Sequence, residues 1–170
     1  MGNKVIDGLR AKSDEAWGKI GRVLDGMDAH IDRSDAPGEW TARQVLAHLL
    51  LAPGGDAAEV LKRFRSDGDL ALVEIAASHT DVSGERGRMT LTQLESALES
   101  QRREVFAFLE SLSEDELQQR KARIPVFKQY MGTDEIPLAV FVGGMWDFHW
   151  RDHAGQLAKI RAAAGLPAAT

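Results

Sequence analysis

Apolar residues recur every three or four positions over most of this chain, and that spacing fits helix far better than strand. From Lys4 to about Met27 the residues Val5, Ile6, Leu9, Ala16, Trp17, Ile20, Val23, Leu24 and Met27 keep the step. The turn formers Asp32-Arg33-Ser34-Asp35-Ala36-Pro37-Gly38 then interrupt it. A second helix starts at Thr41-Ala42-Arg43-Gln44, a capping box, with Trp40 placed to staple onto Val45. Its apolar face reads Val45, His48, Leu49, Ala52 until Pro53-Gly54-Gly55 kinks or ends it, and the pattern resumes through Val60, Leu61 and Phe64. Thr90-Leu91-Thr92-Gln93 is another capping box. It opens a third long helix with Leu91, Leu94, Leu98, Val105, Phe108, Leu109 and Leu112 turned inward.

Ser113-Glu114-Asp115-Glu116 begins a short fourth element stapled by Leu112 and Leu117. Pro137 suits the first turn of a last long helix, which runs to about Ala164 before Gly165 and Pro167 stop it. Three connections are less regular. Leu70 to Ala77 is apolar enough to pack as a short helix, Ser83 to Arg88 reads as loop, and Arg123 to Thr133 reads as extended chain. Neither repeat nor interdomain linker is visible over residues 1–170. The expected architecture is a single all-α four-helix bundle with short extra helices in the connections.

The 170 residues carry 21 basic against 26 acidic side chains, a net charge of −5, which argues against nucleic acid as the main partner. The alternative, a DNA-binding bundle, would need a local patch such as Arg102, Arg103, Lys121 and Arg123. No cysteine is present, so disulfides, thiolate metal sites and a cysteine nucleophile are excluded. The N-terminal stretch lacks the apolar core of a secretory signal, and no run of 18 or more apolar residues occurs. The expectation is a cytoplasmic protein with no membrane partner.

Met145 to Leu157 carries the most chemistry. His149 and His153 stand four residues apart on the last helix, which stacks their rings on one face with Cβ atoms roughly 5–6 Å apart. His48 occupies an inward position on the second helix, where an imidazole without partners is costly. Three neutral imidazoles buried together would leave ring nitrogens unpaired, whereas a divalent metal would take all three. Asp152 and Gln156 each lie three residues from one of the pair and are candidates to orient a ligand histidine. Asp147 is nearby and is expected on a solvated face, while Trp146 and Trp150 either wall a pocket or simply pack. His30 reads as a helix-end cation, and His79 has no assigned role.

The run Trp40-Thr41-Ala42-Arg43-Gln44-Val45-Leu46-Ala47-His48-Leu49, followed far downstream by His149-Trp150-Arg151-Asp152-His153-Ala154-Gly155-Gln156-Leu157, resembles the DinB/YfiT-like superfamily. The resemblance implies a four-helix bundle in which His48, His149 and His153 bind a divalent metal, zinc or nickel. It also implies a small-molecule substrate, a low-molecular-weight thiol as co-substrate in some members, and frequent homodimers. Trp150 and the Pro53-Gly54-Gly55 break depart from the pattern and would reshape the pocket. Three histidines leave a coordination position open, the mark of a catalytic rather than a structural metal. The leading expectation is a metal-dependent hydrolase or thiol-dependent transferase. The alternative is a non-enzymatic bundle that binds a small molecule or partner, with a structural metal or none.

Overall fold

The computed structural model describes residues 3–51, 56–75 and 82–170. Ala52, the Pro53-Gly54-Gly55 break and His79 lie outside them. Helix α1 (Lys4–Leu24) starts on Asn3, whose side chain accepts from the Val5 and Ile6 amides. It ends earlier than its periodicity suggests, because Gly26 turns the chain at φ 74° and a 3-10 turn (Asp28–His30) follows. Helix α2 (Ala42–Leu49) is short and opens with both halves of the Thr41/Gln44 capping box in place. Helix α3 (Ala57–Lys62) starts on Asp56. Helix α4 (Leu91–Glu110) opens with the Thr90/Gln93 box, and α5 (Glu114–Gln119) with the Ser113/Glu116 box.

The last segment is one unbroken helix built in three parts: α7 (Leu138–Gly143), a π-helical turn (Gly144–Phe148) and α8 (His149–Ala163). Pro137 is its N-cap rather than a first-turn residue. It closes on Gly165 (φ 76°), where the Gly165 and Leu166 amides bond back to Ala162 and Arg161, the paired bonds of a Schellman stop.

Three connections differ from expectation. Leu70 to Ile75 is extended rather than helical, since Leu72 bridges Arg123 and the Val73 amide donates to the Arg123 carbonyl. Residues 76–77 lie outside the described set. Ser83 to Arg88 contains a 3-10 turn at Glu85–Arg88. Arg123 to Thr133 is mostly helical: a 3-10 turn at Pro125–Phe127 runs into α6 (Lys128–Met131), and only Lys121–Arg123 is strand. This β1 (Lys121–Arg123) pairs antiparallel with β2 (Glu135–Pro137), Ala122 opposite Ile136. The two ends of the connection are thereby tied together, and the start of α7 is fixed by the Leu138 amide donating to the Arg120 carbonyl.

The architecture is a four-helix bundle. Helices α1 and α4 run antiparallel, as the Arg10–Glu110 and Asp14–Arg102 ion pairs require. Helix α1 and the last helix run in the same direction: Trp17 meets Trp150 with ring centroids 5.5 Å apart, and further on Arg161 donates to the Val23 carbonyl at 2.9 Å. Ile20, Leu46, Leu94, Leu98, Trp146 and Trp150 fill the space between these helices and α2, all essentially without exposure. Among the described residues no helix is long and apolar enough to cross a membrane.

Candidate metal centre

Two helices bring the three histidines together. The Thr41/Gln44 box sets where α2 begins, and the Arg43–Asp32 ion pair, at 2.6 Å, holds its first turn. His48 then falls in the last turn of α2, facing the last helix. On that helix the π-turn stops immediately before His149, and His153 follows one α-helical turn later. Nε2 of His149 lies 2.9 Å from Nε2 of His48 and 3.0 Å from Nε2 of His153. The ligand-type nitrogens of all three lie within 4.8 Å of one another. A tetrahedral set of bonds of about 2.0–2.1 Å would separate its nitrogens by roughly 3.3 Å. The rings therefore stand close to ligating positions already.

The protonation states suit a cation. Burial pushes His149 down to about 3, and the neighbouring His153 and His48 rings add to the effect. Burial also lowers His153, against the opposing pull of Gln156 and the Asp152 charge. Both rings are neutral at pH 7 and carry a lone pair. For His153 the tautomer follows from its partner: Nδ1–H donates to the Gln156 side-chain oxygen at 2.8 Å, which leaves Nε2 bare toward the cluster. Nδ1 of His149 is buried and finds no hydrogen-bond partner among the described residues. Neutral imidazole nitrogens are borderline donors that suit zinc, nickel and copper better than magnesium or calcium. The donor set and its spacing fit a divalent transition metal.

The surroundings differ from the sequence reading in several places. Gln156 touches His153, whereas Asp152 is exposed and makes no hydrogen bond to either histidine among the described residues. Asp152 acts on His153 through its charge. Asp147, expected on a solvated face, is 8% exposed and paired with Arg151 at 2.7 Å, because the π-turn rotates position 147 inward. Trp146 and Trp150 pack in the core, against Phe141 and Trp17 respectively. The aromatic wall of the site is Trp40, whose ring lies nearly parallel to His153 (centroids 6.1 Å, 12°) and 5.0 Å from His48. Sequence reasoning gave Trp40 only a stapling role; the available signal was its position one residue before the cap of the helix that carries His48. Among the arginines of the basic patch, Arg102 and Arg103 are engaged by Glu99, and Arg123 lies near Asp134 and Glu135.

Comparison with known proteins bears on the family and the fold. The family model of the DinB superfamily matches residues 12–157. No curated protein matches the chain. Among solved structures the chain is similar to YfiT from Bacillus subtilis, described as a probable metal-dependent hydrolase with an unusual four-helix bundle topology. The two are 17% identical, the match covers 98% of this chain and 91% of that one, and the TM-score is 0.70. At that identity the likeness is one of fold.

Proposed function

The chain belongs to the DinB superfamily, and on that premise we propose that His48, His149 and His153 hold a divalent metal, zinc or nickel, at the centre of a small-molecule hydrolase. The convergence of the three Nε2 atoms at 2.9 and 3.0 Å carries this reading. His48, His149 and His153 would hold the metal through ring nitrogens, and the metal would supply Lewis acidity for hydrolysis.

The residues around it have separate tasks. Gln156 fixes the His153 ring and its tautomer through the Nδ1 bond. Trp40 covers one side of the cluster and keeps bulk water from two of the rings, and the apolar packing behind His149 keeps that ring neutral. His48 and His149 remain partly exposed, which leaves substrate an approach to the cluster. Thiol-dependent group transfer is the second chemistry the same centre supports. Because the chain has no cysteine, its sulfur would come from a low-molecular-weight thiol. This reading places the protein in the cytoplasm, acting on a small molecule.

Elemental analysis of untagged protein tests the centre. The wild type is expected to retain close to one transition metal per chain and His149→Ala essentially none. Equal and negligible metal in both would end the proposal. A panel of ester, amide and activated-electrophile substrates, with and without added thiol, then separates hydrolysis from transfer.

A further inference from the structure

His48 sits where a metal ligand is hardest to hold still. Helix α2 ends at Leu49, so His48 lies in a terminal turn whose carbonyls have no partner within the helix. Such turns fray, and a fraying turn would let the His48 ring wander by more than a metal–nitrogen bond tolerates. Here the turn is bound from outside by two side chains. Gln101, in the middle of α4 and only 8% exposed, donates from Nε2 to the Leu49 carbonyl at 3.1 Å. Its Oε1 accepts from the Leu51 amide at 2.8 Å. Arg86, in the 3-10 turn before α4, donates from Nη1 to the Ala47 carbonyl at 2.7 Å and the Leu50 carbonyl at 3.3 Å. The backbone on both sides of His48 is thus fixed to residues about 40 to 50 positions downstream.

We propose that Gln101 and Arg86 are positioning residues that lock the last turn of α2 so that His48 meets His149 and His153. The proposal rests on the three-histidine metal reading above. Gln101 is the principal element. A glutamine on the inward face of α4, among Leu94, Leu98 and Val105, costs burial of an amide and is retained through both of its polar ends. Arg86 adds a cation at the negative end of the α2 dipole.

The test measures metal binding rather than turnover. Apo protein is titrated with Co²⁺ and with Zn²⁺ against a chelator, and the visible spectrum of the Co²⁺ form reports ligand geometry. Gln101→Met keeps the volume and removes both bonds. It is expected to weaken binding about 10–100-fold, as loss of a ligand's support does, and to change the Co²⁺ spectrum. Leu109→Ala, a core truncation near the far end of the same helix, controls for lost stability and is expected to lower Tm with little change in affinity. Arg86→Lys, which keeps a cationic donor, is expected to lose less affinity than Arg86→Met. Wild-type affinity and spectrum in Gln101→Met, or an equal loss in Leu109→Ala, would overturn the positioning role while leaving the metal reading intact. Failure of the wild type itself to bind either ion would overturn the metal reading, and the positioning role with it.

Discussion

Metal-free protein should lose stability on mild acidification, and His149 should be the main reason. Its ring is held at about 3 in the folded state against an ordinary 6.5, by burial and by the two neighbouring imidazoles. Below pH 6.5 the unfolded chain takes up a proton that the folded chain refuses. The unfolded state then binds more protons, and stability falls as pH falls. The His149 contribution is complete above about 6.5, declines through the window down to about 3, and is flat below that. Near pH 5 the unfolded imidazole is protonated over its neutral form by roughly thirty to one, so the cost is about 2 kcal/mol. For a chain of this length that is a Tm decrease of about 4–8 °C. The assay is thermal or urea unfolding in chelator between about pH 5 and 7.5, comparing wild type with His149→Leu. Glu116 is held below its usual range by the Ser113 amide and then by Arg120, and Glu99 and Asp32 are held below theirs by Arg102 and Arg43, so all three stay ionised between about pH 5 and 7.5. The Glu95 carboxyl, raised by burial and by the Asp28 charge, and the His153 imidazole, lowered by burial, are common to both proteins and cancel. The wild type should therefore lose about 2 kcal/mol more than the variant on going to pH 5. A stability difference that stays constant across the window would refute the assignment.

Gln156→Leu removes the acceptor from His153 Nδ1 and should weaken metal binding about 10–100-fold with little effect on Tm of the apo protein; unchanged affinity in a chelator competition would show that the bond does not orient the ligand. Thr41→Ala and Thr90→Ala each break a complete capping box and should each cost about 1 kcal/mol by urea unfolding. Only Thr41→Ala, at the head of the helix carrying His48, should also lower metal affinity, so an equal effect of the two on binding would count against that coupling.

The parts of this molecule legible in its sequence are those governed by local chemistry. Three S/T-x-x-E/Q boxes mark the starts of α2, α4 and α5, and in each the serine or threonine and the glutamine or glutamate bond reciprocally. The i,i+4 histidine pair and the inward His48 are legible for the same reason, since helical phase alone puts them on a face. What is not legible depends on distant partners. Leu70 to Ile75 has the composition of a short helix, but the edge of β1 captures it through Leu72 and Val73. The segment after Arg123 looks extended because of Pro125, yet proline is well placed at the start of the 3-10 turn that begins there. Gln101 has no local signature at all, because its role exists only once α2 ends beside α4.

The π-turn is the instructive intermediate case, because its trace is present in the sequence as a slip of phase. At about 100° per residue, Leu138, Phe141 and Val142 define one buried direction on α7. The buried set of the following segment, Trp146, Trp150, His153, Leu157 and Ile160, is centred about one residue further round. In a regular helix those two faces would point roughly 100° apart, and either the α7 contacts or the histidine pair would leave the core. One extra residue in a single wide turn brings them into line, at the cost of a less regular hydrogen-bond ladder. The same rotation turns Asp147 inward against Arg151 and sets His149 on the flank of the buried face, with His153 nearer its centre. A fully buried His149 would close the cluster to substrate, and one on the outer face would lose His48. The partly exposed position that results is the one the proposed metal site would require.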